Sequence, residues 1–423
     1  MECKNSRLSG FYKKNQHERL ALLQAFTGLS NDAVNLLKNE ESLFFESANR
    51  MIENVVSTMQ LPFGIATNFI INGHDYLIPM VLEEPSVVAG ASNAARLARG
   101  TGGFIATASH SLMVGTVQLV KVPNTSEAIQ AVETNKKDLL VAANSQDSIL
   151  CALGGGAKNI TTRTIATSRG IMLLCELAVD VRDAMGANII NTMAEHIAPM
   201  LEKITGGTAI LRIVSNLAIH RMAKAHATWK KEALGSLVIE HILDAYALAC
   251  ANPLRCTTHN KGVMNGIDAV AIATGNDFRA LEAGAHAYAS LSGSYQPLTH
   301  YHTNPNGDLV GEIELPLAVG TIGGATQTHP IAKVSLEILG ITKAQDLACI
   351  MASVGLAQNF AALRALVLEG IQAGHMKLHS KNIAMMAGAQ GNVIDHIAHH
   401  MCQEGTISVA RAKELLDAYG KNN

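Results

Sequence analysis

The chain has 423 residues, 48% hydrophobic and 16% charged, with 33 basic against 35 acidic side chains and a formal charge of −2. That length accommodates two or three domains of about 100–200 residues with real apolar cores, and so apolar a composition excludes intrinsic disorder. A near-neutral balance with 4% aromatics leaves neither the basic face nor the stacking platform of a nucleic-acid binder.

The first segments read as helix followed by hairpin. Ser30 is placed to cap a helix through Asp32-Ala33-Val34-Asn35-Leu36-Leu37. Asn72-Gly73 is a hairpin signal between Phe69-Ile70-Ile71 and Tyr76-Leu77-Ile78. After Glu83-Glu84-Pro85-Ser86, the small-residue run Val87–Ala95 predicts a closely packed helix. Ile105–Val120 is the most apolar stretch to the eye, but His110, Gln118 and several Ser and Thr interrupt it, so no membrane span is expected. The start, Met1-Glu2-Cys3-Lys4-Asn5-Ser6-Arg7, lacks the apolar core of a signal peptide, and a cytoplasmic location is expected.

The middle of the chain is the most legible. Leu112–Val120 reads as a strand, Ser126–Asn144 as a helix, and Ile160–Ala166 and Ile171–Val181 as two strands. Asp183–Ile204 follows as a long helix capped by Asp183, and Thr208–Val214 as a last strand. The order β-α-β-β-α-β is the split βαβ, ferredoxin-like pattern. The fold class is therefore α+β, with a small domain at 110–216 inserted into a helix-rich domain built from 1–109 and 217–371. Leu237–Ala251 is helical, the chain then turns Gly-rich up to Gly324, and 372–423 reads as a short helical tail or flap.

Common signatures are missing. No Gly-x-Gly-x-x-Gly occurs, since Ile105 stands where the third Gly after Gly100-Thr101-Gly102-Gly103 belongs, and neither a P-loop nor a Gly-x-Ser-x-Gly elbow is present. The seven cysteines form no Cys-x-x-Cys pair and read as reduced, mostly buried thiols. His396, His399 and His400 lack a nearby acid or thiol at ligand spacing and read as solvent-facing, so no metal is expected.

Four segments carry candidate chemistry. Glu84 sits in a turn flanked by Val81-Leu82 and Val87-Val88, where desolvation raises a carboxyl toward general-acid use, or it is simply a helix-start acid beside Pro85 at N1. Thr258-His259-Asn260-Lys261-Gly262 places one lysine among small polar residues, as an oxyanion stabiliser with Gly262 and Gly266 admitting a ligand, or as an exposed loop lysine. Asp277 reads as the end of a strand or helix near that lysine, or as an ordinary turn residue. The bare start of Asp183-Ala184-Met185-Gly186-Ala187-Asn188 suits a pyrophosphate, and close helix–sheet packing explains the same small residues.

In this order the segments resemble one family, the class II (bacterial-type) 3-hydroxy-3-methylglutaryl-CoA (HMG-CoA) reductases. The matching blocks are Glu53-Asn54-Val55-Val56, Glu83-Glu84-Pro85-Ser86, Asp183–Asn188, Thr258–Gly262, Met264-Asn265-Gly266-Ile267-Asp268, Ala273–Asp277, Gly323-Gly324-Ala325-Thr326 and Gly374-His375-Met376. The resemblance implies an oxidoreductase interconverting HMG-CoA and mevalonate plus CoA with two nicotinamide dinucleotides, through a hemithioacetal and mevaldehyde. It implies Glu84, Lys261, Asp277 and His375 as catalytic residues, with His375 on a flap. Ser86, Arg255 and Asn265 are implied at the substrate, and Asp183, Ala184, Met185, Gly186, Ala187 and Asn188 at the dinucleotide. Asp147 matches an acid facing the adenosine ribose, which favours NAD(H) over NADP(H) because a carboxylate repels a 2′-phosphate. A homodimer completing its sites across the subunit boundary is also implied.

Overall fold

The computed structural model of the chain describes residues 5–39, 42–368 and 371–421. Its N-terminal helices, Gln16–Thr27 and Asn31–Lys38, are both capped by side chains: Asn15 and Glu18 form a capping box, and Ser30 Oγ accepts from the Ala33 N–H. The expected hairpin joins β1 (Phe63–Ile71) to β2 (His74–Val81) through Asn72 and Gly73, both at positive φ, as a two-residue turn of that hand requires.

These strands open a six-stranded sheet of order β2-β1-β3-β8-β10-β9, with β3 at Phe104–Ala108, β8 at Met222–Trp229, β9 at Thr299–Thr303 and β10 at Leu309–Pro316. Alternation along β8 sends Ala223, Ala225, Ala227 and Trp229 inward and Lys224 and His226 outward. The inward face packs on the helix Ala344–Leu368, where Trp229 stacks on Phe360 with centroids 3.8 Å apart and donates its indole N–H to the Ala94 carbonyl. That helix is long and apolar enough to cross a membrane, but most of it is buried inside the protein. It is a core helix that the sequence reading did not single out.

The second sheet is the expected ferredoxin-like unit. β4 (Leu112–Val120), β5 (Gly156–Thr167), β6 (Gly170–Asp180) and β7 (Thr208–Val214) lie in the order β5-β6-β4-β7, every pairing antiparallel. Met113, Val117, Leu173, Leu177 and Val179 face Ile190, Met193, Ile197 and Leu201 of the helix Ala187–Thr205 in a separate core.

Three expectations change. The helix expected over Ser126–Asn144 is two, Thr125–Thr134 and Lys136–Asn144, broken at Asn135, with Asn124 as the first cap. The Gly-rich stretch before Gly324, where no bounded element was expected, holds the helices Pro253–Ala273 and Phe278–Ala289 besides β9 and β10. The described cysteines form no disulfide, and only Cys175 and Cys256 are fully buried, the other four being half-buried. At the C-terminus, Ile371–Met386, Asn392–Glu404 and Val409–Lys421 are helices, with a small core around Ala384, Ile397, Met401 and Ala412.

Candidate active site

Lys261 lies within a helix, not a loop. Asn252 caps Pro253–Ala273 by accepting from the Leu254 and Arg255 N–H groups, and Pro253 occupies the first helical position. Gly262 and Gly266, expected to admit a ligand, are buried instead. A Cβ on Gly266 would stand 3.0 Å from the Val354 carbonyl and Gln358 Cβ, so this glycine lets the helix press against the core helix Ala344–Leu368.

Buried polar neighbours lock the same turn. His259 Nε2 meets Thr299 Oγ1 at 2.6 Å, and Thr299 Oγ1 donates in turn to Asn359 Oδ1. Asn359 Nδ2 returns a bond to the His259 carbonyl, while Asn260 bonds the Gln296 carbonyl and the Leu298 N–H. Burial, with the nearby Arg255 charge, pushes the His259 imidazole down to about 3, so it stays neutral.

On this anchored helix, Lys261 and Asn265 are one turn apart and point the same way. Lys261 Nζ donates to Glu84 Oε2 at 2.7 Å, and Asn265 Nδ2 reaches the same oxygen at 3.3 Å. Glu84 comes from the turn after β2, so two parts of the chain separated by 177 positions meet here. Pro85 precedes the cap rather than occupying N1, because the helix starts at Val87 with Ser86 as its N-cap. Ser86 holds φ 78, a strained conformation for a side-chain-bearing residue, and its Oγ is buried with no hydrogen-bond partner. The ammonium is not buried as a general-site lysine would suggest: the Lys261 side chain is 57% exposed and that of Glu84 31%.

Arg255 is half-buried nearly three turns before Asn265, and desolvation lowers its pKa. Asp277 caps the helix Phe278–Ala289, accepting from the Arg279 and Ala280 N–H groups and pairing with the Arg279 guanidinium. Twelve residues of helix, about 18 Å at 1.5 Å per residue, run from Lys261 to Ala273. Among the described residues of one chain no ion pair joins Lys261 to Asp277. His375 falls on the helix Ile371–Met386, and its side chain lies outside the described residues.

The Asp183–Asn188 segment is arranged differently from the expectation. Asp183 does not cap the helix that follows; Gly186 does, at φ 99 and with no side-chain bond, and the helix begins at Ala187. The Asp183 carboxylate accepts from the N–H of Ala344, the first residue of the core helix, while its carbonyl accepts from Thr321. Arg221, buried and missed by the sequence reading, donates to the carbonyls of Ala184, Met185 and Val319. A Cβ on Gly186 would lie 2.6 Å from Val181. The loop is thus tied down from three sides while the first N–H groups of Ala187–Thr205 carry no capping side chain, a cradle that fits a dinucleotide pyrophosphate. Asp147 caps the short helix Ser148–Ala152 by accepting from Leu150 N–H at 2.8 Å. A cavity of about 460 Å³ lined by Leu23, Phe63, Ile272 and His329 includes none of these residues.

Asp268, seven positions after Lys261, stands in a matching block above but was given no role there. It shares a hydrogen bond with Glu282, which pairs with His286 at 2.6 Å, and His286 meets the Tyr295 hydroxyl at 2.7 Å. Burial and the neighbouring Glu282 carboxylate push Asp268 up to about 8. The unfolded chain gives up this proton near pH 4, the folded one only near pH 8, so the stabilisation is complete below pH 4 and fades as pH rises toward 8. Asp268→Asn keeps a donor toward Glu282 without the titration. The difference in Tm between D268N and the parent is expected to grow in favour of D268N from pH 5 to pH 8; a difference independent of pH refutes the assignment.

The family model described as hydroxymethylglutaryl-coenzyme A reductase matches residues 15–380. A 3-hydroxy-3-methylglutaryl-coenzyme A reductase of Archaeoglobus fulgidus is 54% identical over 414 residues, covering 98% of this chain and 94% of the relative. A probable reductase of the same name from Borreliella burgdorferi is 35% identical over 84% of this chain and 83% of its own. Among solved structures, the class II reductase of Streptococcus pneumoniae bound to NADPH in open conformations is similar with a TM-score of 0.81 and 39% identity, covering 96% of this chain and 100% of that one. With the Glu84–Lys261–Asn265 cluster on a fold shared over nearly its whole length, the chain belongs to the HMG-CoA reductase family, on its class II branch.

Proposed function

We propose that the chain interconverts HMG-CoA and mevalonate plus CoA, consuming two nicotinamide dinucleotides in the reductive direction through a hemithioacetal and mevaldehyde. The observation that carries this reading is the Lys261 ammonium 2.7 Å from the Glu84 carboxylate, with Asn265 on the same oxygen. When bound, the dinucleotide supplies hydride. Each reduction leaves an oxyanion on the substrate, which Lys261 stabilises, and Glu84 in its protonated form supplies the proton that quenches it. Asn265 holds Glu84 in register, and Asp277, remote from this pair within one chain, tunes it across the subunit boundary of the homodimer. His375 protonates the departing CoA thiolate, a task suited to an imidazole near neutrality. Ser86, whose orphaned hydroxyl awaits a polar partner, Arg255 and Asn265 hold the carboxylate and carbonyl end of the substrate.

Asp183, Ala184, Met185, Gly186, Ala187 and Asn188 form the dinucleotide cradle, and Asp147 favours NAD(H) over NADP(H). The reading divides the chain into a substrate and dimerisation domain (1–109 with 217–371), a nucleotide domain (110–216) and a flap (372–423), working in the cytoplasm. The test is to follow nicotinamide absorbance and free thiol together after adding HMG-CoA. Two dinucleotides oxidised per thiol released are expected. Thiol release without oxidation would make the chain a thioesterase.

The active form is a homodimer with its sites at the subunit boundary. A single chain exposes Phe44, Ile52, Val56 and Met59 in one segment, with Val56 at 93%, and Leu254 at 82% beside the Lys261 face. Val56→Asp is expected to yield a monomer by sedimentation and to lose most activity. A fully active monomer overturns the arrangement.

A further inference from the structure

The solvent face of the six-stranded sheet carries a second group of side chains that the reductase reading does not use. In β9, His300 and His302 are two positions apart and therefore share a face, while Tyr301 between them points into the core. The register places Glu312 of β10 directly opposite His300, with His300 Nδ1 3.7 Å from Glu312 Oε2. One ligand atom from each of His300, His302 and Glu312 lies within 4.8 Å of the others, and no other group of three such residues does so among those described. His302 Nδ1 is buried and has no hydrogen-bond partner. The His300 ring sits edge-on to Tyr246 with centroids 5.8 Å apart, which restrains its orientation.

An exposed His–Glu pair contributes little by itself and gives no reason for a second imidazole at the same spot. A divalent ion about 2.1 Å from each ligand holds them roughly 3.4 Å apart. These side chains reach that spacing by small rotations, since His300 and Glu312 are both more than half exposed. On the other side of Glu312 the register sets His226 of β8, exposed and available as a further ligand. We propose that His300, His302 and Glu312 form a binding site for a divalent transition-metal ion that clips the edge strand β9 to β10. Two imidazoles and one carboxylate suit zinc, nickel or copper rather than magnesium or calcium. The site shares no residue with the Glu84–Lys261 cluster.

The experiment titrates the untagged, chelator-treated full chain with Co(II), reading the visible d–d bands, and then displaces the ion with Zn(II) in a calorimeter. One equivalent is expected to bind, and His302→Ala or Glu312→Gln to weaken it at least about tenfold, because even the loss of a supporting hydrogen bond to a ligand costs that much. The double variant His396→Ala/His400→Ala, which removes the edge-to-face pair on Asn392–Glu404, is expected to leave the affinity unchanged. Circular dichroism of each variant separates ligand loss from unfolding. The assignment is overturned if H302A binds the ion as tightly as the parent, or if binding disappears with the His396–His400 pair instead.

Discussion

Replacing Lys261 with alanine is expected to lower kcat for HMG-CoA reduction by about a thousandfold, the upper range for losing one group that stabilises an oxyanion. Stability is expected to hold. The Lys261 side chain is 57% exposed and its pair with Glu84 is accessible to water, so the pair adds no more than about 1 kcal/mol to the fold. What fixes this turn of the helix is the adjoining buried network of His259, Asn260, Thr299 and Asn359, which K261A leaves intact. Binding of the CoA thioester, measured by calorimetry, is likewise expected to survive, because most contacts with so large a substrate lie away from the reacting carbon. Loss of rate with Tm and thioester affinity retained is the signature of a group that acts in the transition state. Lys261→Arg keeps the charge but moves it along a longer, planar head, and is expected to recover only a small part of the rate. A K261A enzyme with a tenth or more of the parental turnover refutes the role given to this lysine.

The ferredoxin-like half was legible because its strands alternate cleanly: β4 buries every second residue, and β6 does so from Leu173 onward. The Lys261 helix was not. Thr257, Thr258, Asn260, Gly262, Asn265 and Gly266 are all weak helix formers, and the segment reads locally as a loop. Tertiary packing overrides that preference, since only glycine at 266 lets the helix lie so close to Val354 and Gln358. Asp183 misled for a related reason. A carboxylate just before a helical stretch normally caps it, but here it reaches across 161 positions to the start of another helix, a partnership no local pattern reveals. Glu84 and Lys261 were linked by family resemblance, not by spacing; the same resemblance put Asn265 at the substrate, and its bond to the Glu84 carboxylate is seen only in the structure. Asp268 carried one usable signal, its position on the face already occupied by Lys261 and Asn265, but its partners Glu282 and His286 belong to the next helix.

Converting Asp147 to asparagine is expected to shift the ratio of kcat/KM for NADPH over NADH upward by about tenfold or more. Asp147 has two tasks that this substitution separates. Its Oδ1 accepts from the Leu150 N–H and starts the helix Ser148–Ala152, a cap that asparagine provides equally well. Its proposed second task rests on charge: a carboxylate facing the ribose would disfavour a 2′-phosphate, at about 1–4 kcal/mol for a separation near 4 Å, depending on how much water intervenes. Arg182, whose guanidinium packs over Gly154 in the loop after this helix, already faces the Asp180 carboxylate at 3.8 Å, so the expected change rests on the Asp147 charge. Asp147→Ala removes charge and cap together, so it is expected to change the cofactor ratio similarly while losing about 1 kcal/mol of stability that D147N retains. If both variants keep the parental NADH-to-NADPH ratio and only D147A melts earlier, Asp147 is a helix cap and nothing more, and selectivity between the two nucleotides must come from elsewhere in the cradle.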